Sequence, residues 1–465
     1  MPRYKRAMSN LGTSERPLKV AIIGSGPSGF YAAGALFQTD GLAVAVDMFD
    51  RLPTPYGLVR GGVAPDHQKI KGVVRKYREV AANPGFRFFG HVRVGWDVEV
   101  SALTERYDAV VFATGNESDW PMGVPGEDLK GVFSATEFVG WFNGHPDFQG
   151  RDFGLKRARR AAVVGNGNVA MDVARVLIRN VDELAATDIT AEAIEALRSS
   201  AVREVLLWGR RGPAQAAFSP PEIKEIGSLE GVDLVMPEKD MELGAVTEKW
   251  LAEKADRDAH KNVAYLREVA ARGEGTHDRK VRCKFLVSPV ELLGEDGRVT
   301  AVRLVRNELH PADDGTPRPK ATGDTWVEPV DLVFKAIGYK GTPIPGVPFD
   351  ERKCIIPNAA GRVAGAPGMY VVGWAKRGPT GLIGTNKPDS EATVESLVAD
   401  LRGQPGKQLG GDVALLLREK GVDAASFQDW ERLDAYEIEN GVAAGKMREK
   451  VTRVDSMMDI IRSRR

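Results

Sequence analysis

The 465-residue chain predicts an α/β protein with two Rossmann-like dinucleotide-binding domains in series, on two related stretches and the residues that follow each. The first is Val20-Ala21-Ile22-Ile23-Gly24-Ser25-Gly26-Pro27-Ser28-Gly29, an apolar run ending in glycines and resuming as Phe30-Tyr31-Ala32-Ala33-Gly34-Ala35-Leu36. The second, Ala161-Ala162-Val163-Val164-Gly165-Asn166-Gly167-Asn168-Val169-Ala170-Met171-Asp172-Val173-Ala174, repeats the pattern. Each reads as strand, tight turn, helix. The strand after the first unit ends in an acid, Asp50, and the strand after the second ends in Arg210-Arg211.

Composition narrows the field. Lys plus Arg and Asp plus Glu both total 64, so no global field draws the chain to nucleic acid or to an anionic membrane. The two cysteines, Cys283 and Cys354, form no CxxC, no metal-ligand spacing and no disulfide framework. No metal is expected, and a reducing cytoplasm suits this usage. No apolar run reaches the roughly 18 residues that span a bilayer. Residues 1–17 are polar and basic, with Arg3, Lys5, Arg6 and Arg16, and lack the apolar core of a secretory signal. They read as a flexible tail in preference to an organelle-targeting peptide.

In chain order, Gly24 permits the first turn, Gly26 lets the backbone approach a pyrophosphate, and Gly29 brings helix against strand. Ser28 lies in the helix start, where free N–H groups point at the diphosphate. Residues 42–49 predict the next strand, with Asp50 placed to accept from an adenosine ribose. The loop from Arg51 to His67 is rich in proline and glycine and lies near the dinucleotide; His67 is its candidate proton carrier. Residues 69–82 then predict a helix and residues 86–94 a strand. Tyr107-Asp108-Ala109-Val110-Val111-Phe112-Ala113-Thr114-Gly115 is a buried-strand pattern closing in a Thr-Gly turn, which flavin-dependent two-nucleotide enzymes use beside the first dinucleotide.

In the second unit Ala170 replaces the third glycine, and Asn168 can donate to a phosphate oxygen. Residues 180–200 predict a helical insertion. The strand Val205-Leu206-Leu207-Trp208-Gly209 leads to Arg210 and Arg211, which grip a 2′-phosphate that an acid would repel, so NADPH is preferred over NADH. A flavin site followed by an NADPH site passes hydride from nicotinamide to flavin. The acceptor stays open on residues alone: disulfide reductases need paired cysteines, a flavin monooxygenase or quinone reductase is possible, and a nucleotide-sensing binding module is the non-enzymatic alternative.

The chain resembles the adrenodoxin reductase-like NADPH:ferredoxin reductases over about residues 19–397. Besides both fingerprints, the resemblance rests on Leu52-Pro53-Thr54-Pro55-Tyr56-Gly57-Leu58-Val59-Arg60, Gly62-Val63-Ala64-Pro65-Asp66-His67, Gly209-Arg210-Arg211-Gly212-Pro213 and Gly373-Trp374-Ala375-Lys376-Arg377-Gly378-Pro379-Thr380-Gly381-Leu382-Ile383-Gly384-Thr385-Asn386. It implies a glutathione reductase-like architecture: a flexible tail (1–16), a discontinuous FAD domain (17–116 and 335–465) and an NADP domain (117–334). It implies that Ser28, Asp50, Leu58 and Val94 line FAD with the glycine turn, while Trp374, Gly381, Leu382 and Ile383 close over the isoalloxazine. For NADP it implies Asn166, Gly167, Asn168 and Val169 at the diphosphate, Arg210 and Arg211 at the 2′-phosphate, Glu222 at the ribose, and Gly381 touching both cofactors. His67 and Glu225 would be the catalytic pair.

The activity so implied is a ferredoxin–NADP+ reductase, passing single electrons to a ferredoxin-type iron–sulfur protein that supplies cytochromes P450 or other acceptors, in a monomeric cytoplasmic protein. Glycines 378, 381 and 384 would let N–H groups approach the flavin pyrimidine edge, with a helix starting near Asn386 aimed the same way. Three departures from the family stand out: Asp50 replaces Glu, Trp120 replaces Arg, and residues after Gly403 match loosely. Basic groups at Lys156, Arg157, Arg159 and Arg160, and at Lys249, Lys254, Arg257 and Lys261, could dock an acidic partner.

Overall fold

The computed structural model describes residues 10–465. The fingerprint strand Leu18–Ile23 lies inside a seven-stranded sheet, paired in parallel with Val44–Phe49 on one side and Ala109–Phe112 on the other. Central position in a parallel sheet explains its near-continuous apolar sequence, because both faces are covered. The strand order is Asn358–Ala359, Arg362–Val363, Met369–Val371, Ala109–Phe112, Leu18–Ile23, Val44–Phe49, Phe86–Phe89. Both ends of the chain therefore build this sheet.

A second sheet, parallel throughout, has the order Val132–Ser134, Leu332–Lys335, Arg160–Val164, Glu204–Gly209, Arg279–Phe285, Val232–Val235. Its fingerprint strand, Arg160–Val164, is again central. The chain passes between the sheets twice, and the two crossings pair as a short antiparallel ribbon, Ser118–Asp119 with Tyr339–Lys340. In sequence between Arg279–Phe285 and Leu332–Lys335 the chain builds an antiparallel three-stranded sheet, Val287–Glu295, Arg298–Pro311 and Pro317–Pro329.

Several expectations shift. The helix expected over 69–82 is two helices, Gln68–Lys71 and Val74–Ala81, since Gly72 caps the first. The strand expected over 86–94 ends at Phe89, because Gly90 turns to pair with Ala425 of the C-terminal region. The flexible tail expected over 1–16 is corrected at its end, while residues 1–9 lie outside the described residues. Leu11 is buried and exchanges backbone hydrogen bonds with residues 403 and 404, and Arg16 clasps Asp108 at 2.7 and 3.0 Å. The helical insertion is Val181–Ala185 and Ala191–Arg198, capped by the side chains of Asn180 and Thr190.

The C-terminal region after Gly403 forms helices Val413–Glu419, Phe427–Ala443 and Val454–Arg464. Trp430, Leu433, Met457 and Ile461 complete the core on one face of the first sheet. Among the described residues, no helix is long and apolar enough to cross a membrane.

Candidate functional site

Both glycine turns use the same geometry. Gly24 and Gly165 have φ of +104° and +132°, and a methyl on either would collide with the backbone carbonyl of the neighbouring strand's end, at Ala113 and Ala336 respectively. These are the switch points of the two sheets, where open α/β sheets bind ligands. A Cβ on Gly29 would strike the Gly24 carbonyl, whereas the second unit accommodates the buried Ala170.

Gly26 and Gly167 differ in kind: a Cβ there meets no protein atom within 4 Å. They cap the helices Pro27–Gln38 and Asn168–Ile178 with ordinary negative φ. No protein atom stands in the way of a side chain there, so each helix N-terminus is open to a diphosphate. Gly26→Val is accordingly expected to lower retained flavin at least about tenfold, read from the 450 to 280 nm absorbance ratio, while leaving the thermal midpoint of the flavin-free protein nearly unchanged.

Around the first turn, Asp50 accepts from Ser25 N (3.0 Å), from the Ser25 hydroxyl and from Leu52 N (3.0 Å). This shorter carboxylate thus holds the turn itself. A Cβ on Gly57, at φ of +48°, would stand 3.0 Å from Gly26 Cα, so glycine lets this loop, with Leu58 next in the chain, lie against the turn. Ser28 touches the other end of the chain: Ser390 Oγ donates to its carbonyl at 3.1 Å, and a Cβ at Gly373 would collide with its hydroxyl. Trp374 rests against Tyr339 with ring centroids 5.5 Å apart, and its Nε1 donates to Thr380 O. Gly381 has φ of +80°, Leu382 is 61% exposed and Ile383 packs on the core. Val94 is buried with Ile23, Phe49 and Ala375.

Asn116, one residue beyond the Thr-Gly turn, escaped the sequence reading. It is 3% exposed, and neither amide atom has a partner among the described residues. Such a group calls for a ligand or water.

In the second unit the amide Nδ2 of Asn166 is likewise without a partner among the described residues. Asn168 Oδ1 accepts from Ser219 N at 2.8 Å, which turns its NH2 outward as a donor, and Val169 follows in the first turn of the helix. Arg210 and Arg211 follow the strand Glu204–Gly209. Among the described residues neither guanidinium forms an ion pair, in a chain where most do. Burial, Arg210 and Arg318 together depress the proton affinity of Arg211. Two adjacent guanidiniums without a carboxylate have the chemistry to bind an anion.

His67 and Glu225 meet where the two units meet: His67 Nε2 lies 2.9 Å from Glu225 Oε2, with Glu222 at 3.9 Å and Asp172 3.8 Å from Nδ1. Glu222 and Glu225 lie on the helix Pro220–Ile226 and Asp172 on Asn168–Ile178. Fully buried Arg175 binds Asp66 twice (2.8 and 3.0 Å), Asp172 (2.6 Å) and Glu222 (3.3 Å); Arg179 adds Asp66 and Glu225. His67, Glu222 and Glu225 are close enough to hold a cation. Two guanidiniums already supply positive charge to that carboxylate group. The arginines were not read from the sequence, although their i, i+4 spacing places them on one helix face.

Burial works against the charged form of His67, but its hydrogen bond to Glu225, with Asp172 and Glu222, outweighs burial and Arg175 and raises its pKa above the ordinary value. Glu225 is lowered, chiefly by His67. Burial raises Glu222 and Asp172. Because the folded-state pKa of His67 is raised, its stabilising effect is full below about 6.5 and is lost as pH rises through the folded value. The thermal midpoint is expected to fall slightly over that interval, by about 1 kcal/mol or less in stability, and His67→Gln to remove that part of the slope.

The C-terminal region reinforces this junction. Asp188, of the second unit, binds Lys71 (2.7 and 2.8 Å), Lys450 (2.9 Å) and Gln68 (3.1 Å), next to His67. Burial brings the Lys450 pKa down to about 7. Arg60 binds Glu437 at 2.5 and 2.8 Å. Of the basic groups suited to docking, Arg160 is committed to Glu204 and Glu328.

Twin switch points with a charged junction between them define a two-nucleotide oxidoreductase. Residues 18–254 match the pyridine nucleotide-disulphide oxidoreductase family. The chain is 43% identical to NADPH-ferredoxin reductase FprA of Mycobacterium leprae, covering 95% of this chain and 98% of the relative. It is 38% identical to the mitochondrial NADPH:adrenodoxin oxidoreductase of Arabidopsis thaliana, covering 98% of each. The solved structure of Mycobacterium tuberculosis FprA in complex with NADPH superposes with a TM-score of 0.91 at 42% identity, covering 96% of this chain and all of that one. The chain belongs to the pyridine nucleotide-disulphide oxidoreductase family, in the branch of the NADPH-ferredoxin and adrenodoxin reductases.

Dithiol chemistry has no footing in this branch member. Cys283 and Cys354 are buried and unpaired, and burial pushes the Cys283 thiol up to about 12.

Proposed function

We propose that this protein is an FAD-dependent NADPH:ferredoxin reductase, drawing hydride from NADPH and delivering electrons singly to a small ferredoxin-type iron–sulfur protein. The names of relatives matched along nearly the whole chain support the reaction. The observation that carries the reading is the His67–Glu225 contact at 2.9 Å, made where the two dinucleotide units meet. Bound FAD supplies the conversion between two-electron hydride chemistry and one-electron transfer.

In this reading residues 17–116 and 335–465 hold FAD and residues 117–334 hold NADP. The Gly24–Gly29 turn and the following helix N-terminus take the FAD diphosphate, and Asn116 offers its buried amide nearby. Leu58 and Val94 line the flavin, while Trp374, Gly381, Leu382 and Ile383 cover it. Asn166, Gly167, Asn168 and Val169 take the NADP diphosphate, Arg210 and Arg211 the 2′-phosphate, and Glu222 the ribose. Hydride transfer itself needs no protein acid. His67, held by Glu225, orients the nicotinamide end and stores a proton at Nε2, and the buried junction keeps water from the reacting faces. The protein works as a cytoplasmic monomer, with exposed lysines and arginines meeting an acidic partner.

Turnover of the holoprotein with NADPH, a ferredoxin and cytochrome c as final acceptor tests this. Cytochrome reduction should rise saturably with ferredoxin and fall at least about tenfold when NADH replaces NADPH. NADPH consumption indifferent to ferredoxin and matched by peroxide contradicts it.

A further inference from the structure

The three-stranded antiparallel sheet has no place in the reaction as described, yet it grips the Arg210–Arg211 turn through the backbone. Asn307 sits at a register shift in the strand Arg298–Pro311, where the pairing with Pro317–Pro329 slips between Val305 and Asn307. Such a bulge re-aims a side chain. Asn307 is 3% exposed, and its Nδ2 donates to Arg210 O at 3.0 Å and to Ser288 Oγ at 2.8 Å. Its own N–H donates to Leu286 O at 2.7 Å, and Leu286 N donates in turn to Arg211 O at 3.2 Å. Leu286 adopts φ of +56°, a left-handed conformation that a leucine accepts only when its surroundings impose it. Both arginine carbonyls are thus fixed by this sheet, and Leu309 packs beside Gly212 immediately after them.

Charge points the same way. Arg318, in the neighbouring strand opposite His310, forms no ion pair among the described residues, and its field reaches Arg211 strongly enough to lower that side chain's proton affinity. Arg210, Arg211 and Arg318 form no ion pair among the described residues; the field of Arg318 also reaches Asp314, but Arg210 and Arg211 carry like charges side by side, a cost that an anion joining them offsets.

We infer that the three-stranded sheet sets coenzyme selectivity: Asn307 is a positioning residue that fixes the Arg210–Arg211 turn for a 2′-phosphate, and Arg318 extends the positive charge around that phosphate. The inference rests on the NADPH reading above. Removing the Asn307 amide frees the Arg210 carbonyl, leaving the turn held only through Leu286 N and Arg211 O, so the guanidiniums lose part of their fixed approach and a bidentate grip weakens most. Arg318 acts through its field, so its effect is smaller and screened by salt.

The test is calorimetric titration of the holoenzyme with 2′,5′-ADP and with 5′-AMP, beside kcat/KM for NADPH and NADH. In Asn307→Ala the ratio of the two affinities should fall about tenfold, with the same fall in the NADPH/NADH ratio. In Arg318→Ala it should fall about threefold at low salt and less at high salt. Equal weakening of both ligands, or of neither, in both variants overturns the inference. Should Asn307→Ala fail to fold, Asn307→Ser and Arg318→Ala decide by the same ratios. A wild-type protein that binds 2′,5′-ADP no better than 5′-AMP defeats the NADPH reading itself, whereas a selective wild type with equally selective variants defeats only the role of the sheet.

Discussion

Replacing Arg210 and Arg211 together by alanine should raise the KM for NADPH by about 100-fold or more while altering the KM for NADH little. Hydrogen bonds to charged groups contribute roughly 1.5–3 kcal/mol each, and two guanidiniums facing one dianionic phosphate place the loss at or above the upper end of that range. The direction follows from the charge already in place: neither side chain pairs with a carboxylate among the described residues, and burial and Arg210 weaken the proton affinity of Arg211. Steady-state kinetics with both coenzymes reads the effect. A parallel loss with NADH would mean that the turn had collapsed.

Arg175→Met should cause the largest loss of stability, about 3–5 kcal/mol, because it strands buried carboxylates without their cation. Among the described residues Arg175 alone hydrogen-bonds to Asp66, Asp172 and Glu222 together. Burial pushes Asp66 up, and Arg175 overrides burial to keep it below the ordinary carboxylate range. Without the guanidinium, protonation relieves the stranded charges. The deficit in thermal midpoint should therefore be greatest near neutral pH and shrink as pH falls towards about 5. Flavin reduction by NADPH should slow as well, since Asp66 neighbours His67 and Glu222 lies in the same helix as Glu225. A variant as stable as the wild type at pH 7 would show that the network is solvated.

The sequence made legible whatever local geometry forces. Gly24, Gly29 and Gly165 could be read because a single added methyl is barred there, and the Arg210–Arg211 exchange because one charge replaces its opposite at a fixed strand end. The His67–Glu225 contact spans 158 residues and carries no periodic signal. It was reached through a family resemblance, and the structure brings the two side chains together. Arg175 was missed because, three residues after Asp172 on a mostly apolar helix, it looks like half of a local helix pair; Glu222 and, from the opposite unit, Asp66 add the contacts that make it part of the junction. The strand expected through Val94 failed at Gly90, where pairing with Ala425 diverts the chain, and Gly72 divides the helix expected over 69–82. Residues 287–329 contain no motif, so the sheet behind the arginine turn emerged only from the fold. The C-terminal region carried no readable role in the sequence, yet Glu437 and Lys450 hold the loop beside His67.

The most direct measurement is anaerobic stopped-flow absorbance of the flavoprotein, mixed first with NADPH or NADH and then with oxidised ferredoxin. The account predicts fast bleaching by NADPH, bleaching by NADH slower by at least about tenfold, and recovery of the flavin spectrum as ferredoxin is reduced. Bleaching that recovers only with oxygen or a quinone would contradict it.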